Sequence, residues 1–154
     1  MKAKVNLQRV SSAASLPKRS LVQRWIEAAV SSCASPFEVT VRLVDAAEGQ
    51  ALNRRFRGVD RATNVLSFPF EPPPGWSSRR LLLGDVVLCV PLVQQEAATQ
   101  EKSLEAHFAH LVIHGVLHLL GHDHEREDEA YRMEALETAI LTGLGYPDPY
   151  RSLG

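Results

Sequence analysis

The sequence predicts an α/β (α+β) protein, with a small mixed four-stranded sheet and about five helices packed on it. Three observations lead to this prediction. In some segments apolar residues alternate with polar ones, which is typical of strands. In the segments between them apolar residues recur at helical spacing. The length of 154 residues suits one core and is too short to divide comfortably into two, so we expect a single domain over residues 1–154. The hydrophobic content of 45% supplies that core.

The first third of the chain predicts two strands with a helix between them. Residues 4–10 alternate weakly and predict the first strand. Pro17 is placed for the first turn of a helix, whose apolar stripe includes Trp25. Residues 37–44 alternate cleanly between apolar and polar side chains, which is the strongest strand pattern in the sequence.

A second helix and a third strand are predicted next. Residues 46–56 form a short helical pattern that ends near Gly58, and we expect Leu52 and Phe56 to face inward. Residues 63–68 then read as a strand.

The remainder of the chain predicts a loop, a strand and three helices. Three prolines make residues 71–78 an irregular loop, and the nearly continuous apolar run 81–90 predicts a strand covered on both faces. A helix follows over residues 91–99, Ser103 caps a histidine-bearing helix, and residues 128–141 form the last helix. The predicted order is β-α-β-α-β-β-α-α-α.

All six histidines lie between His107 and His124, and three of them have metal-ligand spacing. His114 and His118 are four residues apart, so on a helix they share one face at a separation of roughly 6 Å along the axis. Gly121 can adopt the left-handed conformation that ends a helix, after which His124 can supply a third ligand. Three imidazoles leave a fourth position open, as in a catalytic zinc site.

Zinc is the favoured ion, one Zn²⁺ per chain, although nickel, cobalt or iron could occupy the same ligands. Zinc in an open site lowers the pKa of a bound water to about 7, so hydrolysis is the leading reaction class. Zinc proteases carry a glutamate directly after the first histidine of the motif. Here that residue is Gly115, which disfavours peptide hydrolysis and favours an anionic substrate.

Composition adds expectations about compartment and partners. Cys33 and Cys89 lie in separate apolar segments and suit thiols in a reducing cytosol. We find neither a signal-peptide pattern nor an apolar run that would span a membrane. Residues 1–80 carry 13 Lys and Arg against 6 Asp and Glu, whereas residues 81–154 carry 4 against 12. The basic half could bind a polyanion, or the imbalance could reflect ordinary solvated faces.

Polar residues around the histidine motif have candidate supporting roles. We expect His107 and His110 to be core or supporting groups, because His107 lies two turns before His114 and too far for the same coordination shell. Asp123 could accept the ring N–H of a ligand histidine or could simply cap the helix. Three further polar residues are expected to line the cleft near the metal: Asn64, Ser67 and Asp85.

Residues 52–57, 63–70 and 114–124 together resemble the YbeY family of bacterial ribosomal RNA maturation factors, and the resemblance extends over about residues 37–150. It implies a cytoplasmic, metal-dependent endoribonuclease specific for single-stranded RNA. The expected role is in 3′-end maturation of the small-subunit (16S) ribosomal RNA and in ribosome quality control. The implied partners are the ribosomal RNA precursor and the small ribosomal subunit, with a ribosomal protein and an assembly GTPase.

The resemblance also assigns roles to four residues. The family's three metal ligands fall on His114, His118 and His124, and its functionally important arginine falls on Arg57, so Arg57 and His114 are the expected catalytic residues. A guanidinium suits that role because it stays charged and presents paired donors to phosphate oxygens. Three nearby arginines could extend a phosphate track or could be solvated: Arg54, Arg55 and Arg61.

Two other functions remain as alternatives. The first is a ribosome-assembly factor that holds a structural metal and works by binding partners; the open ligand position counts against it. The second is a metalloprotease-like hydrolase, which the glycine in place of the usual glutamate disfavours.

Overall fold

The computed structural model describes residues 3–33, 35–59, 61, 63–122 and 125–150. Four strands and five helices follow one another in the predicted order, and the predicted fold class is confirmed. Their bounds are β1 (Ala3–Arg9), α1 (Arg19–Ala29), β2 (Phe37–Val44), α2 (Ala46–Arg57), β3 (Val65–Pro69), β4 (Leu81–Cys89), α3 (Val90–Thr99), α4 (Leu104–Leu119) and α5 (Glu127–Gly143).

The four strands form one mixed sheet in the order β1-β2-β4-β3. Strand β2 pairs in parallel with both β1 and β4, whereas β3 pairs antiparallel to β4 and forms one edge. The alternation predicted for β2 is observed, since Phe37, Val39, Val41 and Leu43 are all buried. The sheet therefore has a continuous apolar face on which helices can pack.

The two faces of the sheet are covered unequally. The main core lies between one face and the helices, and it includes Trp25, Val86 and Phe108. A much smaller cluster on the other face, built on Leu66 and Val87, packs beneath α2. The second face is therefore only partly covered.

The predictions for α1 and β4 are wrong in one detail each. Pro17 does not open α1, because the helix begins at Arg19 after the cap residue Lys18. Strand β4 is not covered on both faces along its whole length, because Leu81 is 56% exposed. Only the second half of the strand, from Val86 onward, is fully enclosed by the two cores.

Helix α2 also departs from the prediction that Phe56 faces inward. Gly49 and Asn53 are the buried positions of this helix, and Phe56 is 56% exposed. Its ring instead contacts the ring of Phe68 at a centroid distance of 5.0 Å. The expected end of the helix is confirmed, since Gly58 caps it with a left-handed φ of 71°.

Helix α4 is buried on most of its surface and begins as predicted, since the Ser103 side chain accepts a hydrogen bond from the Ala106 N–H. It lies against β3 and β4 at Gly115. A Cβ atom at that position would lie 2.7 Å from Val86 Cγ1 and 3.2 Å from Ser67 Oγ. The glycine therefore allows α4 to pack closely on the sheet, and any side chain at this position would increase the distance between them. None of the helices in the described ranges has the length and apolarity needed to cross a bilayer.

We expect Gly115→Ala to destabilise the protein by about 1–2 kcal/mol, because overpacking against Val86 outweighs the better helix propensity of alanine. Chemical denaturation measures the change. Gly143→Ala in α5 is the matched control, since a Cβ atom there meets nothing within 4 Å, and it should leave stability unchanged or slightly raised. Equal stability of the Gly115→Ala protein and the parent would contradict the packing argument.

Candidate functional site

A cleft of about 450 Å³ opens between the end of α2, strand β3 and the second half of α4. This volume is within the usual range of ligand sites and larger than packing defects. Its lining residues are Arg57, Thr63, Asn64, Val65, Ser67, Pro69, His114, His118, Leu119 and Glu125. The cleft therefore collects two of the predicted metal ligands and the predicted arginine.

His114 and His118 line this cleft together from one face of α4, as their spacing predicts. Their ring centroids are 4.7 Å apart, with an angle of 79° between the planes. The third predicted ligand, His124, lies outside the described residues, as does Asp123. In the ranges that are described, no group of three or more histidine, cysteine, aspartate or glutamate side chains is arranged to hold a metal ion.

The end of α4 follows the prediction. The helix ends at Leu119, and Gly121 has a left-handed φ of 101°. The N–H of His122 then donates to the carbonyl oxygen of Leu117 at 3.0 Å, which turns the chain back on the last helical turn. The chain therefore turns back on itself directly after α4.

A buried carboxylate that the sequence reasoning did not identify supports His114. Glu137 of α5 has no exposed surface, and its oxygens accept hydrogen bonds from His114 Nδ1 and from the hydroxyl of Tyr150. His110 Nε2 lies 3.4 Å from the same carboxylate and 3.2 Å from the Tyr150 hydroxyl. Helices α4 and α5 are thus joined through one acidic side chain.

The protonation state of Glu137 determines which ring nitrogen of His114 carries the proton. Burial alone raises the pKa of Glu137, but hydrogen bonds from His110, His114 and Tyr150 outweigh it and lower the pKa to about 2. The ionised carboxylate can only accept, so the proton of neutral His114 resides on Nδ1. Nε2 then carries the lone pair that a metal ion binds. Imidazole nitrogens that present a lone pair to the cleft fit a divalent transition metal.

His107 and His110 lie on α4 without lining the cleft, in agreement with the expected core or supporting positions. His107 is 4% exposed, and its Nε2 is 2.9 Å from Glu96 Oε1. Burial lowers the pKa of His107, which keeps the ring neutral near pH 7.

Arg57 occupies the last residue of α2 and lines the same cleft as His114. A cation at the carboxyl end of a helix is favoured by the helix dipole. The loop that follows is fixed by the buried side chain of Asn53, whose Nδ2 donates to the carbonyl oxygen of Arg61 at 2.7 Å. Arg55 points elsewhere, with its guanidinium 5.1 Å from the ring centroid of Phe56.

Asn64 and Ser67 line the cleft as expected, but the expectation for Asp85 is wrong. Asp85 pairs with Phe68 across β3 and β4, and cross-strand partners share one face of a sheet. Ser67, one residue earlier, has its side chain on the opposite face, where its hydroxyl donates to the carbonyl oxygen of Gly115. Asp85 therefore lines a depression on the other side of the sheet.

The sequence contained a signal for Glu137 that was not used. Met133, Glu137 and Leu141 are the buried residues of α5, and they recur every four positions. An acidic residue on an otherwise apolar helical stripe has to be paired when it is buried. The histidine-rich helix was the obvious candidate partner.

Two imidazoles and a guanidinium in one cleft of a small α/β domain combine residue types that suit a transition metal and a phosphate group. A family model described as Endoribonuclease YbeY matches residues 5–145, nearly the whole chain, so the resemblance noted from the sequence is confirmed. The protein belongs to the YbeY endoribonuclease family, and it is an endoribonuclease of ribosomal RNA maturation.

A solved structure shows the same fold. The solution structure of TM1509 from Thermotoga maritima is similar with a TM-score of 0.57. The similarity covers 95% of this chain and 99% of that chain, at 24% sequence identity.

We expect ring ¹⁵N NMR shifts of the metal-free protein above pH 8 to show His114 as the tautomer with the proton on Nδ1. Glu137→Gln should shift the tautomer population, because an amide can donate as well as accept. Glu134→Gln, an exposed glutamate on the same helix, is the control and should change nothing. An Nε2-protonated His114 in the parent would refute the orientation described above.

Proposed function

We propose that the protein is a zinc-dependent endoribonuclease specific for single-stranded RNA, which acts in small-subunit (16S) ribosomal RNA 3′-end maturation and in ribosome quality control. One observation supports the site assignment above all others: Arg57, from α2, lines the same cleft as His114 and His118, from α4. The fold thus brings together residues that are more than fifty positions apart in the sequence. Their side chains are of types that suit a phosphodiester substrate.

In this proposal His114 and His118 hold the metal, with His124 as the third ligand. Zinc held by these residues would supply Lewis-acid chemistry for attack on a phosphodiester. The role of Glu137 is to keep the His114 ring in one tautomer and one orientation. Because Glu137 is itself held by Tyr150, the ring is positioned before substrate arrives.

Arg57 binds and orients the substrate in this mechanism. Arg57 is exposed and lines the cleft, so its guanidinium can contact the two non-bridging oxygens of a phosphate bound there. The same contact stabilises the extra negative charge that develops on these oxygens as the nucleophile, a water or the RNA 2′-hydroxyl, adds to phosphorus and before the leaving oxygen departs. Arg57 is therefore assigned both to substrate binding and to the transition state.

The dimensions of the cleft favour an unpaired strand. About 450 Å³ accommodates a nucleotide unit, and a paired nucleotide of a duplex cannot be turned into the cleft without breaking its pair. Single-stranded RNA can instead turn one phosphate and its sugar into the cleft.

Peptide hydrolysis is less well supported than RNA cleavage. Position 115, where zinc proteases have their catalytic glutamate, packs against Val86 and has no room for a side chain. Among the described residues that line the cleft, Glu125 is the one carboxylate, and it follows the histidine motif instead of lying within it.

We also propose that the substrate is the ribosomal RNA precursor on the small ribosomal subunit, with a ribosomal protein and an assembly GTPase as partners, in the cytoplasm. Membership of a family that acts in ribosomal RNA maturation supports the RNA partner. The absence of a disulfide between Cys33 and Cys89 is compatible with a reducing compartment.

Cleavage of an unstructured RNA by chelator-treated protein, re-supplied with one metal at a time, tests the assignment. We expect zinc to restore cleavage to the parent protein but not to His114→Ala, which lacks a ligand. Arg57→Ala should lower kcat/KM about a hundredfold or more, because a charged donor to the transition state is lost. Arg54→Ala is the matched control: it is exposed in the same helical turn, does not line the cleft, and should change kcat/KM little.

The same samples separate this proposal from an assembly factor with a structural metal. Helix α4 is held by an extensive apolar core, so the circular dichroism spectrum should survive chelation. Loss of the fold on chelation, together with no metal-dependent cleavage by the reloaded parent, would favour the structural role. Equal cleavage by the parent, His114→Ala and Arg57→Ala would refute the catalytic assignment.

A further inference from the structure

Asn64, which lines the cleft, is held from behind by a chain of hydrogen bonds that plays no part in the mechanism above. Its Nδ2 lies 3.1 Å and 3.3 Å from the two carboxylate oxygens of Glu96 on α3. Glu96 Oε1 is in turn 2.9 Å from Nε2 of the buried His107 on α4. The main-chain oxygen of Asn64 accepts from the Cys89 N–H at 3.0 Å. Backbone and side chain are thus both anchored.

These contacts determine which way the amide of Asn64 faces. An ionised carboxylate can only accept hydrogen bonds, so the NH₂ group must be directed at Glu96. His107 secures Glu96, because its buried, neutral ring donates from Nε2, and Glu96 is the one acceptor that this atom meets among the described residues. The carbonyl group of the Asn64 amide therefore faces away from Glu96.

The oxygen of that carbonyl group, Oδ1, is available to a ligand. Within the part of the chain that the structure describes, no group donates a hydrogen bond to Oδ1, and the atom is not among the enclosed unpaired polar atoms. Asn64 shares its cleft with Arg57 and His114. An oriented acceptor therefore lies in the same space as the groups assigned to the phosphate.

The chemistry of RNA restricts what this acceptor can bind. Phosphate oxygens are acceptors themselves and would repel Oδ1. The ribose 2′-hydroxyl is the donor closest to a backbone phosphate, since it is attached to the carbon next to the one that carries O3′. It is also present in every ribonucleotide and absent from DNA.

We propose that Asn64 is a specificity-determining residue that accepts a hydrogen bond from a 2′-hydroxyl beside the scissile phosphate, with Glu96 and His107 as positioning residues. This inference rests on the proposed endoribonuclease function, because it names what selects RNA at that site. In this proposal the neutral amide of Asn64 selects ribose over deoxyribose, whereas Arg57 contacts the phosphate.

The experiment uses a short single-stranded RNA and a set of matched oligonucleotides, each with one 2′-fluoro nucleotide near the cut. The 2′-fluoro group cannot donate a hydrogen bond. We measure kcat/KM for the zinc-loaded parent and for Asn64→Ala. If a 2′-fluoro nucleotide at some position abolishes cleavage by every protein, we measure the Kd of that oligonucleotide for chelator-treated protein instead of kcat/KM.

We expect the parent to disfavour the 2′-fluoro oligonucleotide at one position by roughly threefold to tenfold, the range for one neutral hydrogen bond. Asn64→Ala should lose that preference and treat both oligonucleotides alike. Asn6→Ala is the matched control: Asn6 Nδ2 also donates to a glutamate, Glu38, at 3.1 Å, but on strand β1 at the far edge of the sheet. It should discriminate as the parent does.

The positioning role of Glu96 is tested by Glu96→Gln. A glutamine amide can donate as well as accept, so Asn64 is no longer forced to present its oxygen. The preference for the 2′-hydroxyl should fall while the protein remains folded. Gln95→Ala, an exposed change on the same helix, should leave it intact. Full discrimination by Glu96→Gln would overturn the positioning role.

Failure of this inference and failure of the proposed function give different results. If the parent cuts RNA and Asn64→Ala keeps the parent's preference at every position, the role of Asn64 is refuted and the endoribonuclease proposal survives. A preference that follows the base at that position instead of its 2′ group would likewise overturn the assignment. If the zinc-loaded parent neither binds nor cuts single-stranded RNA, both proposals fail.

Discussion

The contact of α4 with the sheet at Gly115 determines how close His114 and His118 lie to β3. Because this position has no side chain, the helix backbone comes close enough for Ser67 to donate to its carbonyl oxygen, and Val86 fills the remaining space. His114 and His118 then lie beside β3. Close packing against Val86 is enough to explain a glycine at position 115. The absence of a glutamate there is therefore weaker support for an anionic substrate than the sequence suggested.

A second constraint links the fold to the chemistry. Glu137 is a charged group in the core, and burying it would be costly without hydrogen-bond partners. Its partners are His114, His110 and Tyr150, so the same contacts that satisfy the carboxylate also orient the ring assigned to the metal. The stability of the α4 and α5 pairing and the geometry of the site are therefore not independent.

The sequence predicted those features that depend on local patterns. Strand alternation, helical stripes, capping residues and histidine spacing each gave the right element, because all are set by neighbours within a few positions. It failed where the answer depends on other segments: Phe56 was assigned inward without knowledge of the face that α2 buries, and Asp85 was assigned to the cleft without the register of β3 and β4. Glu96 could not be found because its partners, Asn64 and His107, lie on other segments, whereas Glu137 stands on an apolar stripe of its own helix that the sequence already contained.

The cleft thus combines a cation, two imidazoles of which His114 is oriented by Glu137, and an amide that is oriented by Glu96. The central claim is that RNA binds there, on the α4 side of the sheet. Titration of chelator-treated, ¹⁵N-labelled protein with a short single-stranded RNA tests this by NMR. The account predicts that signals of Arg57, Asn64 and Ser67 shift, while those of Thr40 and Asp85 on the opposite face remain in place. Shifts confined to the opposite face would contradict it.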